Sequence, residues 1–240
     1  MPFATHPVRR VAAAEGIRLS GQWPHTIPAV RQLLTDGLDL DPGVTFLVGE
    51  NGTGKSTLVE AIAVAFGMSP EGGSTGARLT TRVTESSLAD ELLLTRGIGG
   101  KRAGFFLRAE TMHGFYSYLE RNPKTSGPPE PVFHEMSHGE SFLSLINNRF
   151  VREGFYCLDE PESALSFAST CCEPPGMHKC PKRGSAALIQ GVLHTWRYAR
   201  PQSVCGGRVR RGGSGAREPS GAMCSKIWST RLRTCGSSTV

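Results

Sequence analysis

The chain has 240 residues, enough for one α/β core with an appendage. No apolar run approaches the ~20 residues of a membrane span, and the stretch MPFATHPVRRVAAAEG lacks the apolar segment of a secretory leader. The cytoplasm is therefore the expected location. The formal charge of +6 is unevenly spread: residues 1–168 carry 15 Lys/Arg against 19 Asp/Glu (net −4), and residues 169–240 carry 12 against 2 (net +10). Six of the seven cysteines also lie beyond residue 168. That asymmetry marks two segments of different character, a main domain over 1–168 and a basic tail over 169–240.

In chain order, Val8–Val11 and Gly16–Leu19 read as short strand material, and Trp23-Pro24-His25-Thr26-Ile27-Pro28 as a loop, because two prolines forbid a regular ladder. Trp23 has two readings, a cover for a nucleotide base or an ordinary packed aromatic. Ala29–Leu34 allows one or two helical turns, and Asp41-Pro42-Gly43 is a turn.

Val44–Val48 reads as a short buried strand and runs straight into Gly49-Glu50-Asn51-Gly52-Thr53-Gly54-Lys55-Ser56. This is a complete G-x-x-x-x-G-K-[ST] phosphate loop, and Thr57 onward opens a helix. Glycines let the backbone curl so that its N–H groups face phosphate oxygens, and the helix start adds partial positive charge there. Lys55 supplies a full charge to the β- and γ-phosphates, and the Ser56 hydroxyl is placed to ligate Mg²⁺. A glycine-rich turn with a chance lysine is the alternative; strand before and helix after decide against it. The residues from Gly49 to Thr57 are thus the candidate nucleotide-binding set. The helix carries Leu58, Ile62, Ala65 and Phe66 as a core-facing stripe and stops near Gly67.

Residues 69–80 are a Gly/Ser/Thr loop, Ser87–Leu94 has helical spacing, and Gly97–Gly104 is a turn. Gly104–Arg108 reads as a strand, Ala109–Leu119 as a helix or irregular lid, and Asn122–Pro131 as a flexible loop. At Ser137-His138-Gly139-Glu140-Ser141 a small polar residue precedes the apolar-periodic Phe142, Leu145 and Ile146, which predicts a helix capped at this motif. Gly154–Asp159 is a buried strand that ends in the carboxylate pair Asp159-Glu160. An acid at a strand end beside a phosphate loop can hold Mg²⁺, and the second acid can polarise an attacking water. Solvated turn acids are the alternative; the order of the three motifs favours the catalytic reading.

Together GENGTGKST, SHGES and FYCLDEPESALS resemble an ATP-binding-cassette ATPase, and GFFLRAE narrows the likeness to small stand-alone AAA-type ATPases of the soluble chromosome-maintenance and recombination-repair branch. The resemblance covers residues 17–167. It implies an α/β P-loop NTPase fold with an ATP-binding-cassette-type nucleotide-binding domain, and ATP and Mg²⁺ as ligands. Lys55 and the loop amides would hold phosphate, Ser56 and Asp159 would hold Mg²⁺, and Glu160 would be the general base. Ser137, Gly139 and Glu140 would form the motif that meets ATP held by a second subunit, and Ser163–Ser166 would run along the interface of that ATP-sandwiched homodimer. Glu110 stands where the family carries a glutamine, which puts a metal contact there in doubt.

After Ser166 the resemblance fails. The family continues with a helix and a strand that ends in a switch histidine, whereas this chain is rich in Gly, Pro and Arg. Ala187–Leu193 is its one strand-like run, and His194 stands 35 residues after Asp159, near the family's interval for the switch histidine, but the helix that should precede it is missing. Cys171, Cys172, Cys180, Cys205, Cys224 and Cys235 lack the paired spacing of a zinc site, and free thiols are expected. The tail is read as disordered, as a phosphate-contacting nucleic-acid binder with few aromatics for stacking, or as the product of a change of reading frame near residue 167. Three functions follow: an ATPase, a nucleotide-binding module without turnover, or a nucleic-acid-associated protein acting through its basic tail. A nucleotide kinase is disfavoured, since it has no use for SHGES or for Glu160 after Asp159, and no coupling segment for a membrane partner is visible.

Overall fold

The computed structural model describes residues 7–40, 43–75, 87–123, 131–150, 152–164, 186–192 and 227–229. Its elements are β1 (Arg10–Ala13), α1 (Pro28–Asp36), β2 (Leu38–Asp39), β3 (Gly43–Gly49), α2 (Lys55–Phe66) and β4 (Gly73–Ser74). They are followed by β5 (Leu92–Thr95), β6 (Gly104–Arg108), α3 (Met112–Arg121), α4 (His138–Arg149), β7 (Phe155–Asp159), β8 (Ala186–Val192) and β9 (Ile227–Ser229). No helix among the described residues is long and apolar enough to cross a membrane.

A six-stranded sheet in the order β4-β6-β7-β8-β3-β9 forms the centre. Its four inner strands β6, β7, β8 and β3 are parallel, and β4 and β9 flank them antiparallel. Parallel strands are covered on both faces, and successive side chains point to opposite sides. Phe106, Phe155 and Cys157 accordingly join α1 and α2 in one apolar layer. Phe105, Leu107, Tyr156 and Leu158 join α3 and α4 in the other. A smaller antiparallel sheet, β2-β1-β5, lends Val11, Leu38 and Leu92 to the α1–α2 layer.

The expected elements at 44–48, 57–66, 104–108, 137–149 and 154–159 all form. Four others differ. Gly16–Leu19 is a turn and loop, not a strand, with Gly16 at φ 84°. Ser87–Leu94 divides into a single 3₁₀ stretch, Ser87–Glu91, and β5, because Leu92–Thr95 finds a ladder on β1 in the register Val11↔Leu94. In α2 the burial exceeds one stripe: Val59, Ala61 and Ala63 are buried as well, and Ala65 only partly.

The fourth difference lies beyond residue 168. The stretch expected as a disordered or aberrant tail supplies β8, which pairs in parallel with both β3 and β7, and β9, which pairs with β3. Without β8 the adjoining edges of β3 and β7 would carry unpaired backbone groups inside the sheet. His194 and the cysteines at 171, 172, 180, 205, 224 and 235 lie outside the described residues, as do Leu165 and Ser166.

Candidate nucleotide-binding site

The site forms where β3, β7, β8 and β6 end side by side. β3 stops at Gly49, the chain turns through residues 50–54, and α2 starts at Lys55. Gly52 and Gly54 take φ of 77° and 89°, a backbone region that side chains disfavour. Gly54 is required twice over, since a Cβ there would lie 2.3 Å from Ile27 Cγ2. The Glu50 carbonyl organises the loop, accepting from the Lys55 ammonium at 2.8 Å and from the Thr53 hydroxyl at 2.8 Å. Lys55 is thereby folded over the loop, its side chain buried. The N-cap residue Gly54 has no side chain to cap α2, and a helix start carries the partial positive charge that an anion meets.

Asp159 closes the far side. It ends β7, in register with Arg108 of β6 and Gln190 of β8, while Gly49 is in register with Val192. Its carboxylate is 4% exposed and accepts a hydrogen bond from the Ser56 side chain. Burial pushes its pKa up to about 6; Arg108 and the Ser56 bond pull it down, and Glu160 and Glu110 push it further up. Its Oδ1 is buried with no hydrogen-bond partner among the described residues. A hydroxyl and an orphaned carboxylate oxygen suit a hard cation that takes its remaining ligands from phosphate and water, so the residues present fit Mg²⁺.

Glu160 follows at φ 49°, the one non-glycine with positive φ among the described residues. Its carbonyl accepts from the Ser163 amide at 3.0 Å and the Ser163 hydroxyl at 2.8 Å, which locks the turn. A left-handed glutamate at a strand end is backbone strain of the sort concentrated at functional sites.

The SHGES residues sit elsewhere. Ser137 caps α4 in a capping box: its hydroxyl donates to Glu140 Oε2 at 2.6 Å and accepts from the Glu140 amide at 3.4 Å, while the Ser137 amide donates to Glu140 at 3.1 Å. These bonds hold the Glu140 carboxyl below its ordinary pKa. Through Phe142, Leu145 and Ile146, α4 packs in the layer opposite α2. Within one chain the structure thus gathers Lys55, Ser56, Asp159 and Glu160, but leaves Ser137, Gly139 and Glu140 in another layer.

Two features escaped the sequence reading. Arg108 reaches Glu60 Oε2 at 2.5 Å, Asp159 Oδ2 at 3.6 Å and Glu110 Oε2 at 3.7 Å; the signal was an arginine closing an apolar strand. His25 is buried, with Nε2 2.6 Å from Glu91 Oε2 and Nδ1 accepting from the Ser20 amide at 2.9 Å. It pins the loop that carries Trp23, whose indole is 63% exposed. Trp23 is therefore not packed in the core of this chain.

A phosphate loop on a parallel sheet, its helix start uncapped and a buried acid at the neighbouring strand end, defines a P-loop nucleotide-binding domain. Residues 29–110 match the family model of the AAA domain. The ribose import ATP-binding proteins RbsA 2 of Burkholderia pseudomallei (strain 1710b) and RbsA of strain K96243 are each 30% identical over 169 residues, 60% of this chain and 33% of theirs. The chain thus spans about a third of the length of these curated relatives. No solved structure matches. In these matches the chain is similar to P-loop ATPases of AAA/ABC type.

Proposed function

We propose that the chain binds ATP with Mg²⁺ and hydrolyses it to ADP and phosphate as an ATP-sandwiched homodimer of the soluble, recombination-repair-like branch. The observation that carries the reading is the meeting of the Ser56 side chain at the start of α2 with Asp159, whose Oδ1 is buried without a partner among the described residues. The amides and Lys55 neutralise the β- and γ-phosphates, for which the ammonium exchanges its bond to the Glu50 carbonyl. Ser56 and Asp159 would hold Mg²⁺, which would supply further charge neutralisation at the phosphates. Glu160 accepts a proton from the attacking water as oxygen bonds to the γ-phosphorus and the bond to the bridging β-oxygen breaks. Positioning and electrostatics supply most of the rate. Ser137 and Gly139 of a second copy face the γ-phosphate, with Ser137 trading part of its capping box for that contact, and the exposed Trp23 stacks on the base. A binder without turnover was motivated by the apparent loss of the terminal strands. The strand β8 between β3 and β7 supplies one of those strands and favours turnover instead.

The test is ATP turnover and ATP binding on the same samples of parent, Lys55→Ala and Glu160→Gln. Turnover in the parent and in neither variant, with binding retained by Glu160→Gln, is expected. Binding without turnover in the parent overturns the hydrolytic part of the proposal, and no binding overturns all of it. The ATP-dependent dimer is checked by light scattering of Glu160→Gln with and without MgATP.

A further inference from the structure

We propose that Arg108 is a positioning residue for the cation-binding carboxylate: anchored on Glu60, it holds the Oδ2 edge of Asp159 so that Oδ1 stays turned to the phosphate loop. The inference rests on the reading of Asp159 as the Mg²⁺ carboxylate and goes beyond it.

Three observations converge. Arg108 and Asp159 are register partners on adjacent parallel strands, so their side chains leave the sheet at the same end. Arg108 Nη1 is bonded to Glu60 Oε2 at 2.5 Å, and Glu60 lies on α2 five residues after Lys55. The guanidinium thus ties the phosphate-loop helix to the strand that carries Asp159. Finally, two buried polar atoms of the same pair are left over, Arg108 Nε as a donor and Asp159 Oδ1 as an acceptor. The Nε–Oδ2 separation of 3.6 Å is too long for a hydrogen bond. Closing it by roughly 0.7 Å brings it into the ordinary range and satisfies Nε, while a cation satisfies Oδ1. The two events share one carboxylate, so each favours the other, as outer hydrogen bonds to a metal-binding carboxylate do. Glu60 balances the charge of Arg108, so the pair acts on the ion by orientation rather than by repulsion. A lysine keeps the charge but not the planar fork that spans two carboxylates.

The experiment is binding of a β,γ-imido ATP analogue by calorimetry, in EDTA and at stepped free Mg²⁺. It is run on the parent, Arg108→Gln, Arg108→Lys, the double variant Arg108→Gln/Glu60→Gln, and Asp159→Asn. Arg108→Gln is expected to bind within about twofold of the parent in EDTA yet to need about tenfold more free Mg²⁺ for half of the Mg²⁺-dependent gain, the scale of a lost outer-shell partner. Arg108→Lys falls between, and the double variant stays with Arg108→Gln. An unchanged Mg²⁺ requirement in Arg108→Gln overturns the proposal. So does recovery in the double variant, which would make Arg108 only a counter-charge to Glu60. Should Arg108→Gln fail to fold, Arg108→Lys decides alone: a raised requirement supports the proposal and an unchanged one sinks it. Asp159→Asn separates the two levels. If it keeps the Mg²⁺-dependent gain, the magnesium reading itself falls, and the role of Arg108 with it; if it loses the gain while Arg108→Gln does not, only the role of Arg108 falls.

Discussion

Replacing Asp159 by asparagine should stabilise the ligand-free protein while removing its response to Mg²⁺. The folded carboxyl titrates at about 6 against an ordinary 3.8, because burial outweighs the help of Arg108 and Ser56. The folded state therefore holds this proton more tightly than the unfolded chain does, and ionising the carboxylate costs stability. That cost is absent below pH 3.8, grows as pH rises, and is complete above pH 6. A gap of roughly two units at about 1.4 kcal/mol each makes it about 3 kcal/mol at pH 7.5, with about half remaining at pH 5. Asparagine keeps the shape and an acceptor for Ser56 but has no charge to desolvate. Urea unfolding in EDTA should accordingly find Asp159→Asn more stable than the parent by about 3 kcal/mol at pH 7.5 and by about half that at pH 5. With MgATP the order should narrow or reverse, since only the parent gains the full linkage of bound ligand. A variant less stable than the parent at pH 7.5 in EDTA, or a difference independent of pH, refutes the reasoning.

Gly54→Ala should cost about 2–4 kcal/mol, combining a left-handed φ with a Cβ driven into Ile27; adding Ile27→Ala should return only the steric part, read by urea midpoint. Glu160→Gly should be more stable than Glu160→Ala by about 1 kcal/mol, because alanine keeps the strain at φ 49° that glycine relieves; equal stabilities would remove the strain argument. Trp23→Ala should weaken ATP binding by about 1–3 kcal/mol, the worth of an aromatic stack on a base. The same variant should bind tripolyphosphate unchanged, which has no base, and an equal loss for both ligands would return Trp23 to a structural role.

The phosphate loop, the capped helix of SHGES and the strand into Asp159-Glu160 could be read from the chain because each is written in neighbouring residues. Gly52, Gly54 and Lys55 specify a turn by backbone freedom and one charge, and Ser137 with Glu140 closes a capping box across three residues. The alternation of Phe105, Phe106 and Leu107 between the two apolar layers likewise needs only the pleat of a strand. Strand order is different, because the partner that completes a ladder is named nowhere in the strand itself. Ala187–Leu193, amid Gly- and Arg-rich text, reads as an isolated strand-like run, and only the sheet shows that Ala186–Val192 lies between β3 and β7. Leu92–Thr95 has helical spacing until β1 offers it a register. The clamp of Arg108 on Glu60 and Asp159, and the burial of His25 against Glu91, join residues 48, 51 and 66 positions apart. Local chemistry in the sequence determined which residues build the phosphate-loop turn and cap the helix of SHGES. Only the packing of the sheet decided which charges face Asp159, and that Trp23 stands in solvent rather than in the core.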